Sequence, residues 1–183
     1  MRLIRWLLIA MLAWLLSGCS GMRVNDLADT QPRFDLFEYF EGQSRAWGIF
    51  QGRGGDLKRQ FVVDIRGEVD GDLLTLTEDF VYADGEESQR IWRVKRLGEN
   101  RYSGTADDVI GEASGESSGS ALNWRYTLRL PYGESTVDVV FDDWMFLQPD
   151  NVLINRARVS KFGFTVGEVT LVFRREASRC VYP

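Results

Sequence analysis

The sequence predicts an all-β fold: a single antiparallel, up-and-down β-barrel of about nine or ten strands. Three observations carry this expectation. Apolar residues recur with a period of two in one segment after another, the pattern of half-buried antiparallel strands. Turn pairs such as Asp70-Gly71 and Asp84-Gly85 separate those segments at hairpin spacing. The chain of 183 residues is 13% aromatic and holds 18 Gly but only 4 Pro, which suits strands joined by tight turns better than a helical bundle. Consecutive hairpins make a meander, and a meander favours a barrel over a sandwich.

The elements follow in order. Residues 1–18 carry Arg2 and Arg5, then an apolar run from Trp6 to Leu16. Eleven apolar residues fall short of the ~20 needed to cross a bilayer core, so the segment reads as a secretory signal and not as an anchor helix. Its end, Leu16-Ser17-Gly18-Cys19, resembles the lipobox of bacterial lipoproteins. The resemblance implies that Cys19 receives a diacylglyceryl group and that the chain is cut just before it. Each buried methylene contributes about 0.8 kcal/mol, so several acyl chains, palmitate among them, make a permanent membrane anchor. Ser20 stands where an Asp commonly retains lipoproteins in the inner membrane, so the resemblance implies the outer membrane of a Gram-negative bacterium, on its periplasmic face.

Residues 19–33 read as the lipidated N-terminus and a polar tether, which at roughly 3.3–3.6 Å per residue lets the folded domain stand off the membrane. The domain itself is expected over 34–175, with a C-terminal tail at 176–183. "FDLFEYFEG" places four aromatics between Phe34 and Phe40. It suggests a short helix or closing segment that plugs one end of the barrel, or a patch that touches the membrane. Strands are expected at about 44–51, 58–67, 72–82, 88–97, 100–106, 120–130, 136–147, 151–160 and 167–175. The cleanest is 120–130, where Leu122, Trp124, Tyr126, Leu128 and Leu130 share one face. "GTADDVIGEASGESSGSA" breaks the pattern, and its small residues Gly111, Ala113 and Gly115 fit either a close approach by a bulky neighbour or a flexible edge.

Several stretches together resemble an uncharacterised proteobacterial lipoprotein family, a domain of unknown function with a lipocalin-like or calycin-like barrel. They are "LTEDFVYADGE" (76–86), "GTADDVIGEASG" (104–115), "ALNWRYTL" (121–128), "DDWMF" (142–146) and "NRARVSKFGFTVGEVTLVF" (155–173). The resemblance implies the barrel and an envelope location, with a link to lipids and no established activity.

Composition narrows the function. Histidine is absent, which removes the usual general base and the usual zinc ligand. No nucleophile motif or calcium loop stands out, so the reading is of no enzyme, no cofactor and no metal. Net charge is -5 for the whole chain, and beyond residue 18 there are 22 − 2 = 20 basic against 27 acidic side chains, which argues against nucleic acid. Cys180 is left alone in the terminal tail with no histidine to activate it.

Strand parity then sorts the charges. In "VVFDDWMF", Val139, Phe141, Asp143 and Met145 share the apolar face, so Asp143 points inward and Asp142 outward. On the next strand Leu153, Asn155, Ala157 and Val159 face inward, with Arg156 and Arg158 outside near Asp142. One hairpin register offers Asn155 to Asp143, and a slip by one residue offers Arg156. Glu78 shares a face with Leu74, Leu76, Phe80 and Tyr82, and Arg90 and Trp92 are placed to answer it. The candidate ligand-binding residues are therefore Glu78, Arg90, Trp92, Trp124, Tyr126, Asp143 and Asn155, with Cys19 as the lipidation site. The polar members either orient an amphipathic ligand in an aromatic cavity or form an ion-pair network that plugs the barrel. The partners these readings imply are the membrane and a lipid or other small apolar molecule. The alternative is a structural lipoprotein with a filled barrel that docks an envelope protein.

Overall fold

The computed structural model describes residues 21–175. The signal segment, Cys19 and Cys180 lie outside the described residues. Ten strands run in chain order: β1 (Gly42–Gly52), β2 (Leu57–Asp70), β3 (Leu73–Tyr82), β4 (Glu87–Arg96), β5 (Arg101–Thr105), β6 (Ala113–Ser118), β7 (Ala121–Tyr132), β8 (Ser135–Leu147), β9 (Val152–Lys161) and β10 (Phe164–Arg175). Each pairs antiparallel with the next, and β1 pairs with β10 to close the ring. Closure leaves no sheet edge unpaired.

Alternation places the side chains as expected. On β8, Val139, Asp143 and Leu147 are buried while Asp138 and Val140 are exposed. The small-residue segment resolves into a loop at residues 106–112, which includes Gly111, and the short strand β6. Its glycine has a packing reason. Gly115 sits directly opposite Trp124, and a Cβ there would collide with the indole; on the far side, a Cβ on Gly104 would come within 2.7 Å of the same ring. The two missing side chains are what let Trp124 lie flat inside the narrow arc of the barrel.

One end of the barrel is sealed by a five-residue helix, α1 (Leu36–Phe40). Asp35 caps it by accepting from the Phe37 and Glu38 amides at 2.9 and 3.0 Å, and its carboxylate also holds Arg96 at 2.9 and 3.0 Å. Those bonds hold the Asp35 carboxyl below the usual range although burial works against them. Leu36, Phe37, Tyr39 and Phe40 are all buried, so the aromatic cluster is an internal plug and not a membrane-facing patch. Phe40 packs edge-on against Phe173 at 5.7 Å, and Phe37 stacks on Tyr102 at 6.0 Å.

The expected tether is corrected in its second half. Val24–Leu27 form a 3-10 turn packed against β6 and β7, and Val24 is buried. The Thr30 hydroxyl accepts from the Ser120 amide at 2.8 Å, and the Phe34 amide donates to the Gly119 carbonyl at 2.8 Å. Apolar burial and paired backbone groups therefore tie residues 24–34 to the β6–β7 corner.

Candidate functional site

The interior changes character along the barrel. Near the plug, Leu74, Val94, Tyr102, Leu122 and Leu153 are fully buried. Toward the opposite mouth, inward-facing Phe50, Phe61, Phe80, Tyr126, Phe141 and Leu171 are only partly buried. They line a cavity of about 300 Å³ that runs from Leu36 and Phe40 at the plug to Arg59, Tyr82 and Leu130 at the mouth. Fully burying such a side chain is worth roughly 1.5–3 kcal/mol, and these aromatics forgo part of it in the empty barrel. An apolar guest would recover that energy.

The seven candidate residues all come from strands, and all seven line this one cavity. Trp92 meets Trp124 edge-on at 5.7 Å and Tyr126 edge-on at 5.2 Å, while Tyr126 stacks on Phe141 at 5.1 Å. These rings form the apolar wall. The polar members form two groups along it.

The first group centres on Arg90. Glu78 and Arg90 are direct cross-strand partners, but their closest approach is a loose 3.9 Å. The strong partner is Asp108, whose carboxylate accepts from Arg90 Nε and Nη2 at 2.7–3.1 Å. Asp108 reaches it because the loop before β6 folds back along β7. The Arg129 amide donates to the Asp108 carbonyl and the Ile110 amide to the Thr127 carbonyl, at 2.9 and 2.8 Å. Strand parity gives Asp108 no role, because it lies in a loop; the available signal was an inward Arg whose charge needed more than Glu78. Burial pushes the Glu78 carboxyl up to about 7, against the pull of Arg90 and of a hydrogen bond from Trp92. The 17% of its side chain that stays exposed faces the cavity wall's interior, not the outer surface. Burial works against the Arg90 charge, yet Glu78 and Asp108 hold it firmly protonated.

The second group is Asp143 with Asn155. Asp143 is 6% exposed and Asn155 1%. Asp143 lies opposite Ala157 and Asn155 opposite Met145, so the two polar side chains sit on one face, one pair apart. Neither expected partner of Asp143 is formed. Asp143 Oδ2 accepts from the Tyr126 hydroxyl at 3.3 Å, and Arg156 points outward to Glu168 at 2.7 Å. Asp142 lies opposite Arg158, with Arg156 one outward pair along, as expected, but its carboxylate is held from β7, by Arg125 at 2.9 Å and by the Asn123 side-chain amide at 2.8 Å. Burial pushes the Asp143 carboxyl up to about 8 in spite of the Tyr126 bond, and it pushes the Tyr126 hydroxyl well above its ordinary value. Asp143 Oδ1 and both amide atoms of Asn155 are buried with no hydrogen-bond partner among the described residues.

The fold has a solved counterpart. An S-type phycobiliprotein lyase from Guillardia theta superposes with a TM-score of 0.54 over 79% of this chain and 92% of its own, at 11% identity, a likeness that speaks to the lipocalin-like fold alone. No curated protein matches the sequence. A family match covers the barrel and the segment that precedes it: over residues 13–175 the chain belongs to the family described as protein of unknown function (DUF3833).

Proposed function

We propose that this chain is an outer-membrane-anchored periplasmic lipoprotein that binds a lipid or other small apolar ligand inside its barrel. The observation that carries the reading is the hollow half of the barrel, about 300 Å³ walled by partly buried aromatics and closed at one end by α1. That volume lies at the lower end of ligand pockets, which span roughly 300–1,000 Å³. The anchor rests on the lipobox at Leu16–Cys19. Titration with the neutral apolar fluorophore N-phenyl-1-naphthylamine tests binding, and native mass spectrometry of protein purified from envelopes tests for a retained ligand. Saturable enhancement that Trp124→Ala weakens supports the reading, and its absence together with a bare protein mass removes it. Cys19→Ser should release the protein from the outer-membrane fraction.

A second reading, docking to an envelope protein, has one specific observation in its favour. On the outer surface Val81, Val62, Trp47, Val172, Ile154 and Phe146 are successive cross-strand partners across six strands. Trp47 at the middle of this row is 48% exposed. An unbroken apolar row of this kind marks a contact surface. Trp47→Lys should abolish photo-crosslinking of that face to an envelope partner while leaving fluorophore binding intact.

A further inference from the structure

The charges around the cavity define the kind of molecule it can hold. Two cations line it, Arg59 and Arg90. Arg90 is spent on Asp108 and Glu78. Arg59 donates to Glu86 at 2.8 Å and Asp84 at 3.2 Å, with its guanidinium carbon over Tyr82 at 3.6 Å from the ring centre. Asp143 and Asn155 form no ion pair with either cation, although Arg90 lies near enough to favour the charged form of Asp143: Asp143 keeps Oδ1 unpaired, and Asn155 keeps its entire amide unpaired, deep in the wall. Buried polar atoms without partners are costly to a fold, and both residues belong to the lining of the cavity.

We propose that the guest carries at its polar end a neutral or cationic hydrogen-bond donor, such as a hydroxyl, amide or amine, seated on Asp143 and Asn155, and that free carboxylates are rejected. This deepens the ligand-binding reading and rests on it. A donor satisfies Asp143 Oδ1 directly, and Asn155 offers one acceptor and one donor whichever way its amide is turned. A carboxylate finds the reverse. Both guanidinium groups are already paired with two carboxylates each, so among the described residues no cation lining the cavity is free to receive an incoming anion. The raised Asp143 carboxyl supports the same assignment, because a protonated acid beside a neutral amide or alcohol can donate as well as accept.

The test uses the full chain with Cys19→Ser, which removes the thiol that the lipobox would acylate. Decylamine, decanamide and decanoate, which share one tail length, compete with N-phenyl-1-naphthylamine at neutral pH. The amine and the amide should displace the fluorophore at concentrations at least tenfold below those needed for decanoate. Asp143→Asn should cut the advantage of the amine at least fivefold, and Asn155→Leu should cut that of the amide, with unchanged far-UV circular dichroism and a cooperative urea transition as proof of an intact barrel. Decanoate competing equally or better, or a preference untouched by both substitutions, overturns the donor-end assignment and leaves ligand binding standing. If the fluorophore itself never saturates, the ligand-binding reading fails and the assignment falls with it.

Discussion

Replacing Asp143 by Asn should stabilise the protein at neutral pH, the opposite of what deleting a paired charge does. Burial raises the folded-state carboxyl from 3.8 to about 8. A carboxyl raised on folding contributes stability that is fully present below pH 4 and is lost as pH climbs toward 8, because the unfolded chain ionises freely while the folded chain must hold a proton. At pH 7 the interval from 3.8 is about three units, which at 1.36 kcal/mol per unit is about 4 kcal/mol of stability already lost. Asn never ionises and keeps the shape, so the loss disappears. Its amide inherits the imperfect bonding of Asp143, a cost of about 1–3 kcal/mol that the protonated acid partly bears already. The expected net gain at pH 7 is roughly 2–4 kcal/mol, or roughly 5–10 °C in Tm for a domain of this size. Urea melts of wild type and Asp143→Asn at pH 4.5, 7 and 8.5 measure it. The difference should be near zero at the lowest pH and grow with pH. Asp142→Asn is the control: it weakens a pair whose Arg125 side is 61% exposed and whose Asp142 side is 20% exposed, and should lower stability by about 1 kcal/mol at pH 7 and 8.5 where Asp143→Asn raises it. If Asp143→Asn lowers stability at all three values, or behaves as Asp142→Asn does, Asp143 does not sit in a low-dielectric wall and the parity argument is wrong.

Other expectations follow from the same geometry. Arg90→Met leaves Asp108 and Glu78 facing each other without their cation, and should cost about 3 kcal/mol in urea titration, the low end for a broken buried pair because Asp108 keeps 34% of its side chain exposed. Gly115→Ala forces a methyl into the face of Trp124 and should cost about 1–3 kcal/mol with a change in the near-UV circular dichroism of the indoles. Asp35→Ala removes the helix cap and the Arg96 pair together, so the urea midpoint should fall by the equivalent of about 1–2 kcal/mol and amide exchange should rise first in α1.

Strand existence and facing were legible because both rest on local alternation. Leu122, Trp124 and Leu128 share a face in any antiparallel sheet, and so do Asp143 and Met145. The short aromatic helix was legible as a plug because four aromatics in seven residues have to be buried somewhere. The tether was misjudged where polar residues conceal long-range bonds, as Thr30 does with Ser120.

What the sequence by itself determined is the barrel and the inward set of residues. Tertiary structure alone decided the pairings. Asp143 meets Tyr126 because β7 and β8 pair with Trp124 opposite Asp143, a register that no single strand encodes. Asp108 meets Arg90 because a loop folds back along β7, and loop paths follow contacts far apart in the chain. The hollow is likewise collective. Its volume is set by ring closure, by which glycines admit Trp124 and by how far α1 reaches inward, and the physical reason is that periodicity reports which way a side chain points but not what stands across from it.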